Sequence, residues 1–264
     1  MAIGYLYGHA QTDWHALAGN HKPYTSRKHN VAIYVLNPAR SGGSILEQGH
    51  VMRGVYDGVV AMSEDRRFQS IAVEMFIVDQ PIGEVFISRW FQSTEFNGNA
   101  STNLPGNAGA LEFEGLVNYT VQSGGDDHGR YIDRVTKKMS IVYDWNTPRI
   151  NGNDIFTVLM EGVMIIHHDG AFLPFDHLNA VSATGRCAMN IHEIGPDKSR
   201  IRGISAATFI FMLANMIVEQ RRFENLDFSL DWEKAGNWQP QMQGFIIGLQ
   251  PPQAYSPGVK AAAE

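Results

Sequence analysis

Metal, acid–base and nucleophilic chemistry each need particular side chains at particular spacings, and this chain offers a few short runs of them. His167-His168-Asp169 and Asp176-His177 invite a metal reading, because imidazole and carboxylate are common ligands of divalent metals. Their spacing fits no zinc pattern, since adjacent residues on a helix point about 100° apart. No metal ligand is assigned, and metal binding by His167, His168, Asp176 and His177 stays open. His192-Glu193 closes a strand-like segment and forms a candidate pocket pair. Asp126-Asp127-His128 reads as the tip of a hairpin. The one cysteine, Cys187, has no nucleophile motif beside it and reads as a buried thiol at the entry of a strand. The chain has no phosphate-cradling glycine loop before a helix, no G-x-S-x-G elbow and no cysteine pair. Nucleotide and flavin chemistry are therefore disfavoured, and no cofactor is expected.

The elements that must position these residues follow from patterning. The chain has 264 residues, a net charge of −6, 44% hydrophobic and 18% charged residues. It is too apolar for a disordered chain. Its mild acidity is wrong for a nucleic-acid binder, which usually carries a basic face. The N-terminus lacks the basic and apolar regions of a secretory signal, and the most apolar run, 204–218, is too short to span a bilayer. A soluble, cytoplasmic protein without membrane contacts is expected. Helices are expected over 10–20, from a Ser44–Glu47 capping box to about 62, over 155–166 from an Asn153 cap, and from a Ser205 cap to about 222. Strands are expected over 31–36, 71–78, 84–92, 110–121, 131–145, 180–192, 228–232 and 244–249. A Gly/Asn/Pro loop covers 97–107, and a loose tail follows 251.

The two halves share an order of elements: strand, proline turn, capped helix, Arg-Arg-Phe, strand, turn, strand. The first copy runs through 31–36, Pro38, Ser44, Arg66-Arg67-Phe68, 73–78 and 85–91; the second through 188–192, Pro196, Ser205, Arg221-Arg222-Phe223, 228–232 and 245–249. Offsets of 155 to 161 residues persist over about 65 positions. A period this long indicates duplicated domains and not a solenoid. The expected organisation is one domain over 1–150, a shortened copy over 151–250 and a tail over 251–264.

The first half resembles the SnoaL-like branch of the NTF2-like superfamily. The likeness rests on the polar stop Ser63-Glu64-Asp65-Arg66-Arg67-Phe68, the hairpin 71–78 and 84–92, and the loop Ser93-Thr94-Glu95-Phe96-Asn97-Gly98-Asn99. It is completed by two long strands, 110–121 and 131–145, with Asp144 near the end. It covers roughly 10–165 and, more weakly, 150–250, on element order and turn placement. The implied fold is α+β, a curved antiparallel sheet wrapped by helices into a cone with an apolar pocket, here duplicated. The family holds polyketide cyclases, isomerases and dehydratases together with binding proteins that do no chemistry, so the fold alone does not choose a function.

Asp144 matches the place of the family's acid/base residue, where an apolar cone raises a carboxyl pKa and suits it to proton transfer beside a carbonyl. The alternative is a strand-end carboxylate in solvent, since Ser140, Lys138 and Thr136 share its face under strict alternation. Glu95 stands where the family loop often carries His, and is the second catalytic candidate. Tyr34, Trp90 and Tyr119 on strands, Trp14 and His15 at the pocket mouth, and His192 in the second copy are the candidate substrate-binding residues. Two functions follow. One is a cofactor-free lyase, cyclase or isomerase acting on a hydrophobic carbonyl compound of polyketide or terpenoid type. The other is a non-catalytic small-molecule binder or oligomeric scaffold of the same fold. Either is expected as a homodimer.

Overall fold

The computed structural model describes residues 2–18, 24–26, 31–36, 46–65, 70–78, 80–89, 120–122, 127–133, 137–194 and 201–249. Ser44, Glu95, Trp90, Tyr119, the 97–107 loop, the first Arg-Arg-Phe and the 251–264 tail lie outside these residues.

The chain begins with α1 (Ala2–His9), earlier than the expected 10–20 helix. Thr12 ends it by donating its hydroxyl to the His9 carbonyl at 2.7 Å, and the Asp13 carboxylate accepts from the His15 amide at 3.0 Å. Such side chains offer the backbone a turn in place of a further helical bond. Strands β1 (Tyr24–Ser26) and β2 (Val31–Leu36) precede α2 (Gln48–Glu64), which buries Val51, Met52 and Val55 and half-buries Val59 and Met62. Its N-cap is Glu47, whose amide donates to His50 Nδ1 at 3.1 Å. The hairpin β3 (Ile71–Ile77) and β4 (Gln80–Arg89) follows, then β5 (Thr120–Gln122).

The strand expected over 131–145 is two, β6 (His128–Ile132) and β7 (Met139–Arg149). The chain reverses where Lys137 takes φ 53° and its amide bonds the Asp133 carbonyl at 2.9 Å. After β7 comes α3 (Gly152–Gly170), capped by Asn151 rather than Asn153; its side chain accepts from the Asn153 amide. The strand expected over 180–192 is likewise a hairpin, β8 (His177–Val181) and β9 (Cys187–Glu193). Gly185 at φ 69° makes the turn, and the Ser182 hydroxyl accepts from the amides of Arg186 and Cys187. Cys187 does enter a strand and is buried; burial, with Asp154 nearby, pushes its thiol up to about 12. The chain continues through α4 (Gly203–Gln220) and the hairpin β10 (Glu224–Lys234) and β11 (Asn237–Gly248).

The fold is α+β, with four described helices and two antiparallel sheets. The four-stranded sheet has the order β1-β2-β4-β3, and the seven-stranded sheet β5-β6-β7-β10-β11-β9-β8. Strand β7 pairs with β10 across the expected boundary at 150. Helix α2 covers β3 and β4, α3 covers β8 and β9, and the Phe209 ring of α4 meets Phe228 of β10 at 5.2 Å. Between these layers α3 packs on α1, α2 and α4, while Tyr7 of α1 stacks on Phe211 of α4 at 5.0 Å. The helices therefore form a middle layer between the sheets, around one apolar core drawn from both halves. Helix α4 is the one described helix long and apolar enough by length and composition to cross a membrane, and most of it is buried in this core.

One local pattern occurs twice. After α1 a strap turns back over the start of α2: the Gln48 and Gly49 amides donate to the carbonyls of Ala16 and Trp14, both at 2.9 Å, and Ala18 N–H donates to Leu46. After α3 the Gly203 and Ile204 amides donate to the carbonyls of Leu173, at 3.1 Å, and Ala171, at 2.5 Å, and Phe175 N–H donates to Ile201. These bonds occupy first-turn donors that a helix leaves without internal partners. That is why α4 starts at Arg202–Gly203 without the expected Ser205 cap. Both straps form one isolated bridge, Leu17 with Glu47 and Pro174 with Arg202. The hairpins after the helices match as well. Their registers shift between Met75 and Phe76, beside Pro81, and between Leu230 and Asp231, beside Pro240.

Candidate functional site

Along β7, Ile141, Tyr143 and Trp145 are buried beneath the helices. Alternation then projects Val142, Asp144 and Asn146 from the opposite, outer face of the sheet. Asp144 is exposed there, not enclosed in an apolar cone as expected. Register sets its neighbours. His128 of β6, Asp144, Asp227 of β10, Phe245 of β11 and Asn190 of β9 form one row across the sheet. The adjacent row is Arg130, Val142, Ser229, Gln243, His192 and His177. Here the two rows border an open depression of about 480 Å³, lined by His128, Val142, Asp144, His192, Asp227, Ser229, Gln243 and Phe245 and floored by the backbone of Tyr143, Phe228 and Gly244.

At one side, Asp144 and Asp227 stand directly opposite each other, an arrangement of like charges that costs stability in an antiparallel pair. Asp227 accepts a hydrogen bond from Asn146 Nδ2 at 2.7 Å. At the other side a chain of amides fixes His192. Asn190 Nδ2 donates to Asn179 Oδ1 at 2.5 Å, leaving Asn190 Oδ1 to accept from His192 Nδ1 at 3.2 Å. Gln243 Nε2 then donates to His192 Nε2 at 2.7 Å. In this arrangement His192 Nδ1 donates and Nε2 accepts. Beside the second row, Arg130 donates to Ser140 Oγ at 2.6 Å, pairs with the buried Asp231 at 3.0 Å and lies over the Trp238 ring at 5.0 Å. Ser229 in turn donates to Asp231 Oδ1 at 3.1 Å, which holds its hydroxyl at the edge of the depression.

The remaining candidates lie elsewhere. Tyr34 is half-buried on the four-stranded sheet opposite Phe86, so it does not share a surface with Asp144. Burial pushes its phenol pKa up. Trp14 and His15 belong to the strap after α1. The His15 ring bonds the Glu47 carboxylate at 2.8 Å, and the Trp14 ring meets His167 at 5.2 Å and His168 at 5.3 Å. Trp14 also lies so close to Gly49 that an added Cβ would come 2.2 Å from its ring. His167 is buried, and neither ring nitrogen makes a well-aligned hydrogen bond among the described residues, although the backbone of Asp13 acts on the ring as an acceptor. Burial lowers its pKa to about 4, aided by His168 and opposed by Asp13. His168 bonds Asp169, His177 bonds Asp176, and all four are exposed. Among the described residues no group of three or more His, Cys, Asp or Glu could hold a metal ion.

The structure thus brings Asp144 and His192 together and adds Asp227, Ser229, Gln243, Phe245 and His128. Asp127, its sequence neighbour, bonds Arg222 at 3.0 Å. No signal within a single stretch of sequence points to Asp227 or Gln243; only the strand register brings them beside Asp144 and His192.

No protein-family model matches the chain, and no curated protein or solved structure is significantly similar to it.

Proposed function

We propose that the protein is a non-catalytic binding or scaffold protein, the second of the two functions expected from the sequence. Its ligand surface is the outer face of the seven-stranded sheet. The observation that carries this reading is the position of Asp144. An acid/base residue working beside a carbonyl needs a water-excluding, apolar surround, whereas Asp144 is exposed in an open depression with a second carboxylate opposite. Carboxylates at one side and a fixed imidazole–amide chain at the other suit a polar ligand that carries a cationic amine and a hydrogen-bonding group. The NTF2-like likeness enters as the source of the binding-protein reading, on element order alone.

The same proposal includes a duplicated unit of helix, two strands, helix and two strands. It is supported by the parallel strand orders β1-β2-β4-β3 and β8-β9-β11-β10, the two straps and the two matching register shifts. The copies differ where a ligand would sit: Ala72, Glu74 and Glu84 in the first stand where the second has Asp227, Ser229 and Gln243.

Amide NMR titration with a linear diamine, and separately with a hydrophobic ketone of similar size, tests the function. The diamine should shift the amides of 142–144, 227–229 and 243–245, and the effect should vanish in an Asp144→Asn/Asp227→Asn variant. A ketone turned over by the wild type and not by Asp144→Asn would restore the enzymatic reading.

A further inference from the structure

The depression on the seven-stranded sheet holds one aromatic ring among polar side chains. Phe245 of β11 stands opposite Asp227 of β10 on one side and Asn190 of β9 on the other. Asp144 and His128 continue its row beyond Asp227, and Asn179 continues it beyond Asn190. The ring lines the depression and is 36% exposed. Met242 and Ile246, on the opposite face of β11, make that strand's contribution to the core, and Phe245 has no part in it.

Four polar groups near the ring have hydrogen-bond acceptors to offer. Asp144 and Asp227 accept only, when ionised, and the bond from Asn146 Nδ2 occupies one oxygen of Asp227. Ser229 donates its proton to Asp231 Oδ1, so its oxygen lines the depression as an acceptor. Gln243 donates from Nε2 to His192 Nε2, which leaves its Oε1 to accept. A ligand matched to this set must be rich in donors. The four groups are also spread in two directions, because neighbouring strands lie about 4.8 Å apart and successive residues on one face of a strand about 6.8 Å apart. A linear chain of donors follows one of these directions, whereas a ring with substituents around it reaches along both.

We propose that the ligand of this surface is a protonated amino sugar, a single pyranose ring lying on Phe245 with its amine between Asp144 and Asp227. The assignment rests on the binding function proposed for the same surface and names its ligand class. An ammonium group between the two carboxylates removes their like-charge opposition, and hydrogen bonds assisted by charge are the strong ones. One face of a pyranose ring presents C–H groups, whose positive character suits the negative face of an aromatic ring. The hydroxyls leave the same rigid disc in several directions, so they donate to Ser229 and Gln243 while the amine holds the carboxylates. A neutral sugar leaves the two carboxylates without a countercharge, and an N-acetylated sugar sets a bulkier, uncharged amide between them.

Amide NMR titration of the full chain with glucosamine, glucose, N-acetylglucosamine and a linear diamine, at a pH where the amines are protonated, tests the proposal. Glucosamine should shift the amides of 142–144, 227–229 and 243–245 at about tenfold lower concentration than either neutral sugar or the diamine. Phe245→Ala, a change on the face away from the core, should weaken glucosamine about tenfold and the diamine less than about twofold. Diamine binding with no preference for glucosamine overturns the amino-sugar assignment and leaves the binding surface standing. So does a neutral sugar that binds as tightly as glucosamine, or a Phe245→Ala variant that loses both amines equally. The absence of any shift with all four ligands overturns the assignment and the binding function together. Should Phe245→Ala fail to fold, Phe245→Leu, which keeps an apolar side chain and removes the ring, decides in its place by the same comparison.

Discussion

Acidification should weaken this protein through His167. The side chain lies at the end of α3 against the Trp14 ring, 2% exposed, with no well-aligned hydrogen bond to either ring nitrogen among the described residues and the Asp13 backbone as a polar neighbour. Its pKa is about 4 in the fold and 6.5 in the open chain. As pH falls below the unfolded value, the unfolded chain takes up a proton at this site and the folded chain does not until the lower value is reached. Stability is therefore complete above pH 6.5, declines between pH 6.5 and about 4, and levels off below. The two values give a loss of about 2 kcal/mol at pH 5 and about 3 kcal/mol at pH 4 from this residue. A His167→Leu variant removes the titration, so its stability should change far less than the wild type's between pH 7 and pH 4. Urea unfolding of both proteins between pH 7 and pH 4 measures the difference. The stability gap should widen steadily in favour of the variant as pH falls. Two curves that stay parallel across the window would show that a buried neutral imidazole is not what titrates.

Val78 holds φ 46° at the exposed tip of the β3–β4 hairpin, a conformation that costs a branched side chain energy. Val78→Asn should raise stability by about 1 kcal/mol, read as a higher melting temperature. Gly244 of β11 lies so close to β9 that a Cβ would come 2.1 Å from the Asn190 carbonyl oxygen. Gly244→Ala should cost about 3 kcal/mol in urea unfolding and disturb the amide chain at His192; a neutral outcome would mean that β9 and β11 are further apart than described. Thr184 donates its hydroxyl to the buried Asp154 carboxylate in the first turn of α3, at 2.5 Å. Thr184→Val should cost about 2 kcal/mol by the same measurement.

Much of the fold was legible because its elements obey strong periods. Helix α2 over most of its length, the run 155–166 within α3 and the strand β2 fall where patterning puts them, whereas 228–232 and 244–249 mark only parts of the longer β10 and β11. Helix α1 was not legible, because glycines and tyrosines at Gly4, Tyr5, Tyr7 and Gly8 are weak helix formers. Its stability comes from contacts beyond local sequence, such as Tyr7 on Phe211 and Gly4 against Tyr24. Two hairpins read as single strands for want of a proline or a glycine pair at their reversals, Asp133–Lys138 and Ser182–Arg186. At the site, Asp144 and His192 each stand out in the sequence only singly, by side-chain chemistry. Their grouping with Asp227 and Gln243 depends on pairings between residues far apart in the chain. The alternation that sets Tyr143 and Trp145 inward and Asp144 outward was readable from the sequence.

The straps before α2 and α4 bear on how the chain folds. The costly event in making a helix is its first turn, where several residues are fixed before the bonds that reward them exist. In both helices first-turn amides are met by carbonyls from the segment that leaves the preceding helix: Trp14 and Ala16 for α2, Ala171 and Leu173 for α4. The first turn of each second helix is thereby satisfied only when the strap from the first lies against it. A peptide holding α2 or α4 alone lacks the carbonyls that meet its first-turn amides in the full chain.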